Sequence, residues 1–227
     1  MRKLPRSPQA NSKLTRPPRV LSLLLGLVTA ALLLSLTSTA QAQIKAPGSH
    51  TRYDFELEPH GIVVWDGPIG LDDGFGLGLR ASIPLFHNGP IKKINNNMAI
   101  GFGMDFSFYD DPCGGVWRYR YRGDVIVLGS GVDCSAWSIW LPVVLQWNFY
   151  VTDIITVFGE PGFAISHTRI SWDGCIDNNV FCDGSDSETN FHPFVLFAGA
   201  KFMFGRTVGL TVRIGYPYLS VGASFLF

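Results

Sequence analysis

No acidic residue occurs among the first 42 positions of this 227-residue chain, and hardly any helical period of apolar residues occurs after them. A P-loop, a dinucleotide fingerprint, a zinc-finger spacing and an EF-hand loop are all missing. So is any basic stripe, which excludes a nucleic-acid partner. No cofactor, metal site or catalytic residue is therefore expected. Cysteine is scarce, with four in the whole chain.

The acid-free start has its own explanation. Arg2, Lys3, Arg6, Lys13, Arg16 and Arg19 precede an apolar run from Val20 to about Thr39, which ends in Ala40-Gln41-Ala42. A basic region, an apolar region and a small-x-small site make residues 1–42 a cleavable signal peptide, with an uncleaved membrane helix as the alternative. No cysteine follows the site to take a lipid, and Arg-Pro-Pro-Arg is not a twin-arginine signal. Removal of 1–42 leaves 12 basic against 18 acidic residues, a formal net charge of −6.

After a polar linker at 43–52, the period is two. Met98, Ile100, Phe102, Met104, Phe106 and Phe108 alternate with Ala99, Gly101, Gly103, Asp105 and Ser107. Similar alternation starts near Tyr53, Phe75, Ile139, Ile154, Phe194, Val208 and Leu219, which makes about eight strands of roughly ten residues. The bulky residues lie on one face and the small or ionic ones on the other. A soluble barrel with Gly, Ser, Asp and Arg inside would have no core, and its Phe, Leu and Val exterior would aggregate. In hydrocarbon the same arrangement is required, because closure satisfies every backbone group. The predicted fold is all-β, a closed antiparallel eight-stranded transmembrane β-barrel over 53–227.

The cysteines propose a register. Trp117, Tyr119 and Tyr121 lie on an arm that leads into Arg122-Gly123-Asp124, and pairing across Gly123-Asp124 makes partner numbers sum to 247. Cys113 and Cys134 give the same sum at a non-hydrogen-bonded site, which suits a disulfide. That sum pairs Phe106 with Leu141 and Phe102 with Leu145. Cys175 and Cys182 sum to 357, which pairs Phe163 with Phe194 and Val157 with Ala200. Of the three possible connectivities, the reading selects Cys113–Cys134 and Cys175–Cys182.

With the N-terminus on the periplasmic side, long loops at 110–136 and 168–191 face outward, and 151–153 and 205–207 are short inner turns. These features, with the final stretch Leu219-x-Val221-x-Ala223-x-Phe225-x-Phe227, resemble the small outer membrane barrels of the outer membrane protein A and X type. The resemblance implies an integral outer membrane location, contact with outer membrane lipids, and recognition of that stretch by the barrel-insertion machinery. It also implies a monomer without the peptidoglycan-binding domain that follows some relatives.

Face parity turns Glu56, Glu58, His60, Arg80, Asp105, Glu160, Lys201 and Arg213 inward. The expectation is a salt-bridge network that plugs the lumen; a narrow channel is the alternative. His167 and Ser171 lie at a strand end, but lipid A deacylases use a closer His-x-Ser spacing, and no orienting acid is evident. His167 and His192 share the apolar face in the 357 register and are read as interfacial residues rather than metal ligands. The acidic stretch Asp173, Asp177, Asp183, Asp186 and Glu188 reads as a solvated loop. The hairpin tip spells an adhesion tripeptide whose Gly and Asp are ordinary turn residues. The function expected is envelope-structural or surface interaction through stapled loops, without enzymatic activity.

Overall fold

The computed structural model describes residues 43–65, 73–109, 117–121, 124–128, 133–176 and 181–227. The expected signal peptide, Cys113, Arg122 and Gly123 lie outside the described residues.

Among the described residues ten strands follow one another: β1 Glu56–Val64, β2 Gly74–Phe86, β3 Asn96–Tyr109, β4 Trp117–Tyr121, β5 Asp124–Leu128, β6 Asp133–Tyr150, β7 Ile155–Ile176, β8 Phe181–Met203, β9 Val208–Gly215 and β10 Tyr218–Leu226. Eight of them close a barrel in the order β1-β10-β9-β8-β7-β6-β3-β2, while β4 and β5 pair only with each other. All the pairs are antiparallel, and β1 joins both β2 and β10, so the barrel has no free edge.

The alternation decides which face is which. On β10, Ser220, Gly222, Ser224 and Leu226 are buried and Val221 is exposed. Outside, Leu77 is 74% and Phe194 69% exposed, which no soluble fold tolerates around a whole barrel. Phe86, Phe204 and Phe227 ring one end of this apolar belt, and Trp65, Phe75, Phe108 and Tyr216 ring the other, as the two interfaces of a bilayer require. The chain is a closed antiparallel eight-stranded transmembrane β-barrel.

Its wall is uneven in height. Strands β1, β9 and β10 have 9, 8 and 9 residues, whereas β6, β7 and β8 have 18, 22 and 23. The tall side occupies most of the expected loop 168–191. Beyond His167 both faces of β7 and β8 carry polar residues, so the hydrophobic signal of a strand fades while the hydrogen-bonded ladder continues.

Two register expectations need correction. Phe106 pairs with Ile139 and Phe102 with Val143, and in the outlying hairpin Tyr121 pairs with Asp124. All three sums are 245, so one register does run through β3–β6 and β4–β5, but it lies two residues from 247. A shift of two leaves every side chain on its own face, so apolar patterning cannot detect it.

Along β7 and β8 the sum is 357 from Ile155↔Phe202 to Gly162↔Val195, which includes Val157↔Ala200. A bulge follows, with Ala164 opposite His192, so Phe163 and Phe194 are not paired. The extra residue lies on β8 at Pro193-Phe194, where a proline without an N–H is tolerated. A second irregularity between Trp172 and Cys175 restores the sum, and Cys175 stands directly opposite Cys182.

The expected linker 43–52 is docked rather than free. Gln43–Lys45 forms a 3-10 turn, Gln43 N donates to Val151 O at 3.0 Å, and Asn95 N donates to Ile44 O at 2.8 Å. His50 stacks on Tyr150 with ring centroids 4.1 Å apart. The segment is a strap across the short-turn end of the barrel.

Candidate functional site

All eight inward ionisable residues named from parity are buried in the lumen. Arg213 on β9 donates to both oxygens of Glu58 at 2.7 and 2.9 Å and, through Nε, to Glu160 at 2.9 Å. Arg80 on β2 donates to Glu160 at 2.9 Å and Asp105 at 3.3 Å. His60 Nε2 lies 2.8 Å from Asp105 Oδ1, and Lys201 pairs with Glu56. Six of the eight thus form one connected network across the bore, with Lys201 and Glu56 as a separate pair nearer the strap.

The network recruits neutral side chains that the sequence reading passed over. Tyr218 donates its hydroxyl to Asp105 and accepts from Arg80 at 3.0 Å. Its even number on β10 matches Ser220 and Gly222, so parity carried the signal, but the turn at 216–217 hid the strand start. Arg80 lies over the Phe197 ring and Arg213 over the Phe158 ring, each 5.3 Å from the centroid, which adds a cation–π contact to each desolvated guanidinium. Below the charges, Asn148 donates to Asn97 at 2.7 Å and Asn97 to Tyr53 at 3.3 Å. Above them, Ser107, Ser138 and Tyr109 share hydroxyl bonds of 2.7 to 3.2 Å.

Glycine makes the charge layer possible at two places. A Cβ on Gly78 would lie 2.3 Å from both Asp105 Oδ1 and His60 Nε2, and one on Gly222 would lie 2.5 Å from His60 Cβ. Gly78 is the cross-strand partner of both His60 and Asp105, so its missing side chain is the space their contact fills.

The histidines are not where the 357 register put them. The bulge at Pro193 rotates His192 inward, where it stacks on Trp140 at 4.5 Å and lies 2.9 Å from Ser166 Oγ, while His167 stays outside and bonds Thr189. The two share no face. His167 and Ser171 do not meet either, because Ser171 bonds Ser135. The Ser166–His192 contact was not foreseen, and Ser166 is only 1% exposed, too enclosed to meet a substrate. Among the described residues no group of three His, Cys, Asp or Glu could hold a metal ion.

The remaining named residues lie apart from the lumen charges. Trp117, Tyr119, Tyr121 and Asp124 belong to the β4–β5 ladder. Leu219, Val221, Ala223 and Phe225 alternate along the outer side of β10, and Phe227 closes the barrel base by donating its N–H to Phe55 O at 2.8 Å.

At the short-turn end, His50 Nδ1 lies 2.6 Å from Asn95 Oδ1. Burial of its ring, more than any other cause, holds its pKa below the ordinary 6.5, with the Asn95 contact opposing.

No family description matches the chain, and no curated protein matches it. Among solved structures it is similar to Ail, the attachment invasion locus protein of Yersinia pestis, at 14% identity and a TM-score of 0.40 over 75% of this chain and 96% of that one. The same protein in complex with the heparin analogue sucrose octasulfate gives 13% and 0.39 over the same shares. Neisserial surface protein A gives 14% and 0.44 over 77% of this chain and 97% of that one.

Proposed function

We propose that this is an integral, monomeric outer membrane protein without enzymatic activity, whose filled barrel is a rigid peg for a surface-facing wall. The peg anchors β6–β8 and the β4–β5 hairpin, and these serve surface interaction or envelope integrity. The observation that carries the reading is the lumen: every charge placed there among the described residues has an opposite partner, and the network reaches from β1 through β9 and β7 to β2 and β3. Side chains bonded to one another across the bore occupy the cross-section that a solute would need.

In this reading outer membrane lipids solvate the apolar belt, and the insertion machinery reads the alternation Leu219, Val221, Ala223, Phe225, Phe227. The strap and short turns face the periplasm and the tall wall faces outward. Disulfides Cys113–Cys134 and Cys175–Cys182 staple that wall; the second is supported by the opposed positions of its cysteines.

Planar-bilayer recording on refolded protein tests the peg against a channel. No discrete conductance steps are expected. Steps in the wild type that vanish in Glu160→Gln or Arg213→Gln would overturn the reading.

A further inference from the structure

Charge is sorted along the barrel axis. In the lumen every cation is paired, Arg80 and Arg213 with carboxylates on β1, β3 and β7, and Lys201 with Glu56. At the short-turn end Lys45, Arg52, Lys92, Lys93 and Arg206 are exposed, against exposed Asp54 and Asp153. Among the described residues none of those cations takes part in an ion pair. At the opposite end, Asp73, Asp173, Asp186 and Glu188 stand with Arg169 among the described side chains. The short-turn end is the positive pole.

Two of its cations sit on a fixed turn. Lys92 and Lys93 lie in the β2–β3 connection, where Ile94 N donates to Ile91 O at 3.3 Å. Buried Asn96, the first residue of β3, donates its side-chain amide to both Ile91 O and Ile94 O at 2.8 Å. The side-chain oxygen of Asn96 accepts from Trp147 Nε1 at 3.1 Å. Trp147 is level with Phe86 of the aromatic ring at this end, since both residues pair with Met98. The turn is therefore tied to the interfacial belt, and its two ammonium groups spring from a backbone that is already ordered.

The surroundings of the turn combine positive charge with apolar surface. Pro47 of the strap, Asn88, Ile91, Lys92 and Ile94 line a groove of about 190 Å³, and Ile91 and Phe86 are exposed. The connection from His87 to Asn95 contains no acidic residue. Cations and apolar side chains presented together at the headgroup level fit a lipid phosphodiester with a net negative charge. A zwitterionic headgroup would bring an ammonium that finds no carboxylate in this connection. A water-soluble anion would leave the apolar surface unused.

We infer that the short-turn end selects anionic glycerophospholipids, with the headgroup phosphate on the Lys92-Lys93 turn and the acyl chains along Phe86. The inference names a lipid class for the barrel proposed above and rests on its spanning a bilayer. It depends neither on the surface role nor on a closed lumen.

The test is NMR titration of the refolded mature protein in maltoside micelles with short-chain phosphatidylglycerol, short-chain phosphatidylcholine and glycerophosphoglycerol, the headgroup without chains. Saturable shifts of the Ile91, Lys92, Lys93 and Ile94 amides are expected with phosphatidylglycerol alone. Lys92→Gln/Lys93→Gln should weaken that binding roughly twenty-five-fold, about five-fold for each cation at an anionic lipid surface, and keep the heat-dependent gel shift. Arg169→Gln removes one cation from the opposite end and should leave the binding unchanged. The inference is overturned by an absence of saturable shifts at the turn, by equal binding of phosphatidylcholine or of the chain-free headgroup, or by undiminished binding in the folded double variant. A wild type without the gel shift would overturn the barrel and this inference with it; indifference to lipid charge with the gel shift intact overturns this inference alone.

Discussion

Arg213 and Glu58, 155 positions apart in the chain, meet in the bore as a two-pronged ion pair at 2.7 and 2.9 Å. Their strands are not neighbours, since β10 lies between β9 and β1. Glu160, the other carboxylate on Arg213, sits on β7 beyond β8. One guanidinium therefore ties together three strands that share no backbone ladder.

Removing it should be costly. Arg213→Met leaves Glu58 without its arginine, with only His60 3.7 Å away, and Glu160 with Arg80 alone, and a broken buried pair costs about 3–5 kcal/mol. Urea unfolding in lipid vesicles, followed by tryptophan fluorescence, should show the loss. A drop below about 1 kcal/mol, the scale of a surface pair, would mean that water reaches the network.

Gly78→Ala should displace the His60–Asp105 contact, because the added methyl falls on both side chains. The expected loss is about 1–3 kcal/mol, typical of overpacking. Gly159→Ala is the control, since a Cβ there meets nothing within 4 Å. Equal stability of the two variants would count against the tight charge layer.

The strap should loosen in acid. His50 has a folded-state pKa below 6.5, so the unfolded or undocked chain binds its proton more readily. Its contribution is complete above pH 6.5 and is lost as pH falls through the lowered folded value. The charges of His87 and Arg52 push in the same direction, and the hydrogen bonds with Asn95 and with the His87 backbone oppose them. Limited proteolysis at Lys45 and Arg52 should accelerate between about pH 7 and pH 5, the range in which a histidine titrates. An identical acceleration in His50→Gln would assign the effect elsewhere.

Cys175 and Cys182 face each other across the β7–β8 ladder. Peptide mapping of unreduced protein should recover them linked, and reduction should leave the heat-dependent gel shift intact, because the staple lies beyond the closed barrel. Recovery of either one linked to Cys113 or Cys134 would contradict the proposed pairing.

Much of the architecture was legible because a membrane barrel writes its two solvents into alternate residues. The inward set Ala99, Gly101, Gly103, Asp105, Ser107 and the outward set Met98 to Phe108 needed no partner strand to be sorted. Parity is blind to shifts of two, so Phe106 could be assigned Leu141 when its partner is Ile139. Parity also carries an error past every bulge, which is how His192 was placed on the outer face. The strap was opaque for another reason: Gly48, Ser49 and His50 carry no apolar period, and they are held by hydrogen bonds to Asn95 rather than by hydrophobicity.

By itself, then, the sequence determined the fold class, the number of barrel strands and the face on which most side chains lie. Burial against lipid imposes a local period of two, and each residue carries that information alone. Only the tertiary structure decided who meets whom: Arg213 with Glu58 and Glu160, Tyr218 with Asp105, His192 with Ser166, and Lys201 with Glu56. Those contacts cross the bore between strands distant in sequence, and their geometry depends on register, on two bulges and on the missing side chain of Gly78. No periodicity within a single strand encodes them.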